Sequence, residues 1–219
     1  MNSDRTYNQY CGVARALDLI GERWALLIVR ELVLGPKRFT DLREGLPGIA
    51  TNVLSNRLRQ LERDGVVTRR QFPPPAPAHV YELTEYGREL VPIMLALGRW
   101  GASTMGGRTP VQAIRSEWLA VALNAFFDPD AAAGLTATVS LNLDGALFTL
   151  RIVEGELQVV HGAAAPVDLS IEGDTELLLQ FLAGAPVSVS AEGDRDLLRR
   201  LPRIFPLARA ETSAGVPLG

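Results

Sequence analysis

The sequence predicts an α+β chain in two parts: a mainly helical front half that includes a β-hairpin, and a small α/β back half built on a mostly antiparallel sheet. Three observations carry this. Apolar residues recur at spacings of three and four through most of the first hundred residues and at a spacing of two between about 137 and 171. The stretch Gly101 to Pro110, GASTMGGRTP, separates the two patterns and reads as a linker. Charge divides at the same place, residues 1–105 carrying fourteen Lys and Arg against eleven Asp and Glu, and residues 106–219 eight against fourteen. The domain boundary is therefore expected between 105 and 106. A basic front half suits a polyanion, and an acidic back half should face away from it.

Composition narrows the function classes. The 219 residues are 47% hydrophobic and 21% charged, an ordinary globular balance. No run approaches the roughly 18 apolar residues of a membrane span, and MNSDRTYNQY lacks the apolar core of a signal peptide, so a cytoplasmic protein with no membrane partner is expected. Cys11 is the only cysteine and His79 and His161 the only histidines, which excludes an intrachain disulfide and argues against a metal site. No nucleophile–base pair, phosphate loop or metal cluster stands out, so neither enzyme activity nor a cofactor is expected. The tail after Arg209 has no apolar periodicity and reads as a frayed terminus.

In the front half, Ala16, Leu17, Ile20, Trp24, Leu27, Ile28 and Leu32 follow helical spacing with a break near Gly21, giving two consecutive helices. Gly35 and Pro36 end the second. RFTDLREGLPG is a short helix that Thr40 can cap and that stops at Pro47 and Gly48. In ATNVLSNRLRQLERDGVV, Thr51 is a good N-cap, Leu54, Leu58 and Leu61 form one narrow apolar stripe, and Gly65 closes the helix. The opposite face carries Asn52, Asn56, Arg59 and Arg63, with Ser55 at its edge. Asn pairs with adenine edges and Arg with guanine edges or phosphates, so this face has the side chains of a helix lying in a major groove. A solvated amphipathic helix is the other reading of the same pattern.

The segment after this helix favours nucleic acid. VVTRRQF alternates as a strand, PPPAPA cannot pair inside a sheet, and HVYELT is again a strand: a hairpin with a proline-stiffened tip. Arg69, Arg70 and His79 flank that tip, where a wing touches backbone phosphates. Thr84 then caps a last helix, whose Leu90, Ile93, Met94, Leu97 and Trp100 suit burial against a partner. Asn52, Asn56 and Arg59 are expected to face bases and Lys37, Arg38, Arg69 and Arg70 to meet phosphates, with Thr40, Thr51, Ser55, Arg63 and His79 completing the contact set.

Over about its first 105 residues the chain resembles HxlR-type winged helix-turn-helix regulators. The features occur in order: Cys11 before the first helix, Ile20-Gly21 with Trp24, Arg38-Phe39 with Leu42, Leu46-Pro47-Gly48-Ile49, the Leu54, Leu58, Leu61, Gly65 spacing, and Tyr81-x-Leu83-Thr84-x-x-Gly87 leaving the wing. Gly12 stands where a proline is usual, and the wing tip is richer in proline than is typical. The resemblance implies a homodimer built on the terminal helices, with a recognition helix and wing on each half-site of a palindromic double-stranded DNA operator. In part of that family the matching cysteine responds to oxidants or electrophiles. Arg15, one turn on, favours a thiolate at Cys11, and a small residue packed at the dimer seam is the alternative.

In the back half, Thr109 and Pro110 suit the cap and first position of the helix VQAIRSEWLAVALNAFF. ATVSLNLDG, ALFTLRIVEG, ELQVVHG and PVDLSIEGD then alternate in period two between Gly-containing turns. Val139, Leu141 and Leu143 are set on one face opposite Phe148, Leu150 and Ile152. An internal repeat closes the domain: VDLSIEGDTELL from Val167 and VSVSAEGDRDLL from Val187 align without a gap, each a strand, a Gly turn and an Asp cap, Asp174 or Asp194, launching a helix. Turn and cap chemistry accounts for the carboxylates of these units without a catalytic role.

The doubled EGD-x-x-L-L unit and the ending RLPRIFPL make residues 110–209 resemble the sterol-carrier-like fold, in which strands and helices surround an apolar cavity. Trp118, Phe126, Leu143, Phe148, Leu150, Val159, Leu178 and Phe181 would line a pocket for a hydrophobic ligand if the covers leave a gap, and would be a packed core if they close. The leading expectation is a homodimeric DNA-binding transcriptional repressor modulated by such a ligand. The alternative is a lipid-binding protein whose helical front half mediates assembly only, which would lack salt-sensitive DNA binding.

Overall fold

The structure, a computed structural model, describes residues 6–71, 79–106, 108–109 and 111–207. The chain divides into two compact units, Met1–Met94 and Leu95–Gly219.

In the first unit, α1 (Gly12–Ile20) and α2 (Ala25–Leu32) are separated by a turn where the periodicity breaks. Gly21 has no room for a side chain, because a Cβ there would lie 2.4 Å from the Leu17 carbonyl oxygen. Trp24 enters α2 at φ 80°, a left-handed conformation that a bulky residue holds only when its surroundings enforce it. After Gly35, at φ 131°, β1 (Lys37–Arg38) leads into α3 (Phe39–Gly45) and α4 (Thr51–Arg63).

Thr40 and Thr51 lie within these helices and cap neither. Arg38 is the N-cap of α3, its N–H donating to the Asp41 carboxylate at 2.9 Å. Ala50 precedes α4 and offers no side-chain cap. A carboxylate three residues inside a helix can satisfy the end from within, so the hydroxyl nearest the apolar run was the wrong marker.

The hairpin pairs β2 (Val67–Gln71) with β3 (His79–Leu83), from Val67 opposite Leu83 to Gln71 opposite His79, and β1 adds to the far side of β3. Its proline-rich tip, 72–78, lies outside the described residues. Thr84 caps α5 (Glu85–Arg88), its Oγ1 accepting from the Gly87 N–H at 2.9 Å. A Cβ at Gly87 would meet the Val66 carbonyl oxygen at 2.0 Å, so this corner closes only on glycine. The last helix is thereby two, since the chain breaks at Glu89 before α6 (Leu90–Ala102). Ile28, Leu42, Leu46, Leu54, Leu58 and Leu61 are at most 1% exposed and form the core.

In the second unit, α7 (Ser116–Phe126) begins several residues after Thr109, which the sequence marks as its cap; Pro110, marked as its first position, lies outside the described residues. Thr109 instead donates its N–H to the Gln112 side chain at 2.7 Å and its carbonyl accepts the Gln112 N–H, a local turn that competes with the helix. The remaining elements are β4 (Ala137–Leu143), β5 (Ala146–Val153), β6 (Glu156–His161), β7 (Leu169–Gly173), α8 (Thr175–Leu182), β8 (Ser190–Gly193) and α9 (Arg195–Ile204). The sheet order is β6-β5-β4-β7-β8, antiparallel except for β4 with β7.

Asp144-Gly145 and Glu154-Gly155 all have positive φ, the two-residue turn whose twist suits a hairpin. Val139 faces Leu150 and Leu141 faces Phe148, the register the alternation implies. Asp174 accepts from the Leu177 N–H at 2.6 Å, and Asp194 from those of Asp196 and Leu197 at 2.8 and 3.0 Å, so both halves of the repeat use the same capping chemistry. Among the described residues no helix is long and apolar enough to cross a membrane, and no group of His, Cys, Asp and Glu is placed to hold a metal ion.

Candidate nucleic-acid interface

Helix α4 presents two opposed stripes. At 100° per residue, Asn52, Asn56, Arg59 and Arg63 fall within about 60° of one another around the axis, roughly opposite Leu54, Leu58 and Leu61. The leucines are at most 1% exposed, whereas Asn52, Asn56, Arg59 and Arg63 are all exposed and Ser55 is half-buried at the margin. Burial of one stripe therefore fixes which face reaches outward. Asn52 Oδ1 accepts from the Val53 N–H at 2.9 Å. Arg59 donates to the Ser55 carbonyl at 3.3 Å and to Asn56 Oδ1, and Arg63 donates to Gln60 Oε1. Thr51 is exposed at the first position of the same helix.

Lys37 is placed differently from the expectation of a phosphate contact. Its ammonium bonds Glu31 at 2.7 Å and its side chain is only 14% exposed. Glu31, 1% exposed along its side chain, also receives Arg30 at 2.8 Å. A carboxylate buried in α2 needs cationic partners, and Lys37 serves that need. Gly45 of α3 sits directly over the carboxylate, where a Cβ would come within 2.2 Å of Glu31 Oε2. The Glu31 node thus ties α2, β1 and α3 together. The sequence shows it only as a charge on the Ile28, Leu32 side of α2. Arg38 and Thr40 remain exposed at the start of α3, the Thr40 hydroxyl bonding Asp41 at 3.2 Å.

On the hairpin the predicted contacts do not share one face. Strand alternation sets Arg69 with Gln71 and His79 on one side and Arg70 with Thr68 and Glu82 on the other. Arg70, 60% exposed along its side chain, pairs with Glu82 at 3.1 Å, and Arg69 and His79 are exposed as well. A second pair missed from sequence joins Arg57, on the flank of α4, to Glu22 in the α1–α2 turn at 3.1 Å.

Cys11 is exposed at the N-cap of α1. Its thiol is held below the ordinary cysteine pKa by the N–H groups of Ala14 and then Val13, so the start of the helix, rather than Arg15, favours the thiolate. Helices α1 and α6 also leave large apolar side chains bare, including Val13, Leu17, Ile93, Leu97 and Trp100.

The predicted ligand pocket of the second unit is corrected by burial. Leu143 and Phe148 are 0% exposed, Leu150 and Leu178 2%, so their surfaces meet other atoms and wall no open volume. Val159 is also buried, and Trp118, Phe126 and Phe181 are half-buried. The Phe148 ring packs against His161 with centroids 4.7 Å apart. Leu143, Phe148 and Leu150 are core because alternation on β4 and β5 sets them in one dense buried row.

Comparison with known proteins agrees with the front half. The HxlR-like helix-turn-helix family matches residues 19–108. The HTH-type transcriptional regulator YdeP of Bacillus subtilis (strain 168) is 41% identical over 91 residues, 42% of this chain and 71% of that protein. YybR of the same organism is 38% identical over 109 residues, 50% of this chain and 85% of that protein. The regulator sll1512 of Synechocystis is 38% identical over 92 residues, 42% of this chain and 68% of that protein. Among solved structures, the reduced form of the redox regulator HypR aligns with 39% identity and a TM-score of 0.40 over 42% of this chain and 92% of that chain. The matched stretch runs from the end of α1 through the helix-turn-helix and the hairpin to α6, and the chain belongs to the HxlR-like helix-turn-helix family.

Proposed function

We propose that the chain is a homodimeric transcriptional regulator that inserts α4 into the major groove of a palindromic operator. The observation that carries this is the exposed Asn52, Asn56, Arg59, Arg63 stripe, aimed outward by burial of the leucines behind it. Arg38 at the start of α3 and Arg69 and His79 on one face of the hairpin supply the phosphate contacts that set register. Val13 and Leu17 on α1 and, separately, Ile93, Leu97 and Trp100 on α6 are exposed apolar side chains that we read as surfaces for the second protomer. Occupancy of an operator suffices for repression, which is the mode we assign.

The test is selection of duplexes from a random pool by the full chain, then measurement of affinity against salt. A recovered inverted repeat whose affinity falls steeply with salt supports the reading. Retention of every sequence alike, with no salt dependence, overturns it.

The second unit we read as a sterol-carrier-like appendage with a filled interior. A separate reading attaches to Cys11, exposed and biased toward thiolate, as a site of oxidant or electrophile sensing. With a single cysteine per chain, such a switch runs through an intersubunit disulfide or a small-thiol adduct. Mass spectrometry after peroxide treatment, alongside DNA affinity of Cys11→Ser, decides it: loss of binding on oxidation in that variant as in the wild type removes Cys11 from the mechanism.

A further inference from the structure

We infer that Arg57 is a positioning residue for the recognition face: through Glu22 it sets the roll of α4 about its own axis. The inference rests on the reading that α4 enters the groove. Arg57 lies about 130° around the axis from the middle of the Asn52, Asn56, Arg59, Arg63 stripe, beside the buried leucines. It cannot touch bases while that stripe faces them. Its guanidinium bonds Glu22 at 3.1 Å instead.

The arginine end is held by packing and the backbone at the glutamate end is constrained, while the Glu22 side chain itself is 46% exposed. Arg57 Nε is buried with no acceptor, an arrangement that works against stability, so packing holds the stem in place against its own hydrogen-bonding preference. Glu22 stands in a rigid turn, between a Gly21 with no space for a side chain and a Trp24 at φ 80°, and its carbonyl accepts the Ala25 N–H at 3.1 Å. Exposed ion pairs usually contribute little because two long side chains must be ordered to meet. Here the ordering of the Arg57 half, 20% exposed along its side chain, is already done by the fold. Three leucines in one narrow stripe anchor α4 along a single line, and a contact on one flank adds a constraint on the angle at which the opposite stripe projects.

The experiment measures the full chain against DNA it selects from a random pool and against an unrelated duplex of equal length. A carboxylate near a polyanion repels it, so a Glu22 that did nothing but carry charge would give tighter binding to both duplexes in Glu22→Gln. The positioning role gives the opposite sign for specific binding: the selected-to-unrelated affinity ratio falls about fivefold, equivalent to roughly 1 kcal/mol, at an unchanged unfolding midpoint. Amide exchange in α4 without DNA becomes faster. The exchanged pair Glu22→Arg with Arg57→Glu restores both readouts. A ratio that stays or rises in Glu22→Gln, or an exchanged pair that leaves it at the Glu22→Gln level, overturns the inference. If the wild-type chain binds no DNA, the groove reading fails by itself, and exchange in α4 then decides the tether: equal rates in Glu22→Gln and wild type overturn it.

Discussion

Replacing Gly45 by alanine should destabilise the first unit although it sits in a helix, where that exchange ordinarily stabilises by up to about 1 kcal/mol. The reason is the Glu31 carboxylate. An added Cβ would stand 2.2 Å from Oε2, 2.7 Å from Cδ and 3.3 Å from Cγ, so the whole end of the side chain must move. A carboxylate at the surface would swing aside; this one is 1% exposed and clamped by Lys37 at 2.7 Å and Arg30 at 2.8 Å. Displacing it weakens two charge-assisted bonds, each contributing roughly 1.5–3 kcal/mol, and the two cations recover part of that by reaching water. Set against the helix gain, a net loss of about 2 kcal/mol remains, which lowers a urea midpoint by about 1 M at a typical slope of about 2 kcal/mol per M. Urea unfolding monitored by circular dichroism, fitted with one transition for each compact unit, measures it. On a Glu31→Ala background the same Gly45→Ala change should cost nothing, because its collision partner is gone. Gly45→Ala equal to or more stable than wild type would refute the clamped carboxylate.

Arg59→Ala should relax preference at particular base pairs by roughly 1–3 kcal/mol per lost bidentate contact, whereas Arg69→Ala should weaken all duplexes alike and lower the salt slope by about one unit; equal losses on every sequence for Arg59→Ala would remove it from the reading face. Leu97→Asp, on the bare face of α6, should give a monomer by sedimentation at micromolar concentration, and a persistent dimer would place the interface elsewhere. Asp174→Ala and Asp194→Ala should each cost about 1 kcal/mol of second-unit stability through loss of a helix cap, checked by thermal unfolding, with a change in α4 function as the result that would contradict a capping role. Iodoacetamide should alkylate Cys11 with a half-maximal rate at lower pH than an unstructured cysteine peptide, since the thiolate is favoured and is the reacting form; coincident pH profiles would contradict this.

The periodicities located the elements well because burial and periodicity have one cause: Leu54, Leu58 and Leu61 repeat helically because one side of α4 is covered, and β4 alternates because one face of the sheet is. The Gly-containing turns and both Asp caps of the repeat were legible for a similar reason, each being local chemistry between neighbours in sequence. Competition between distant groups, by contrast, leaves no mark on the sequence. Lys37 looks like a phosphate contact until Glu31 is found beneath it, and Arg70 looks equivalent to Arg69 until the register sets them on opposite faces. The cap of α3 went to a carboxylate inside the helix, and the start of α7 was delayed by a turn at Thr109, both outcomes of alternatives close in energy. Of the eight side chains read as a pocket lining, Leu143, Phe148, Leu150, Val159 and Leu178 are buried, and whether a gap or a core results depends on how closely helices approach a sheet, a distance no residue pattern carries.

The hydrogen bonds made by the two asparagines of α4 bear on what kind of base edge the helix can read. Asn52 Oδ1 receives the Val53 N–H and Asn56 Oδ1 receives the Arg59 guanidinium, so one of the two lone pairs of each amide oxygen is engaged within the helix while the NH2 groups remain for outside partners. Bidentate recognition of adenine needs an amide to accept and donate side by side, while guanine offers two adjacent acceptors in the major groove. With Arg59 and Arg63 beside them, the asparagines help make a surface that mostly gives hydrogen bonds and seldom takes them. If α4 enters the groove as proposed, its natural complement is a run of N7 and O6 atoms, and duplexes selected from a random pool should carry guanines at the positions nearest α4, with cytosines opposite them on the other strand.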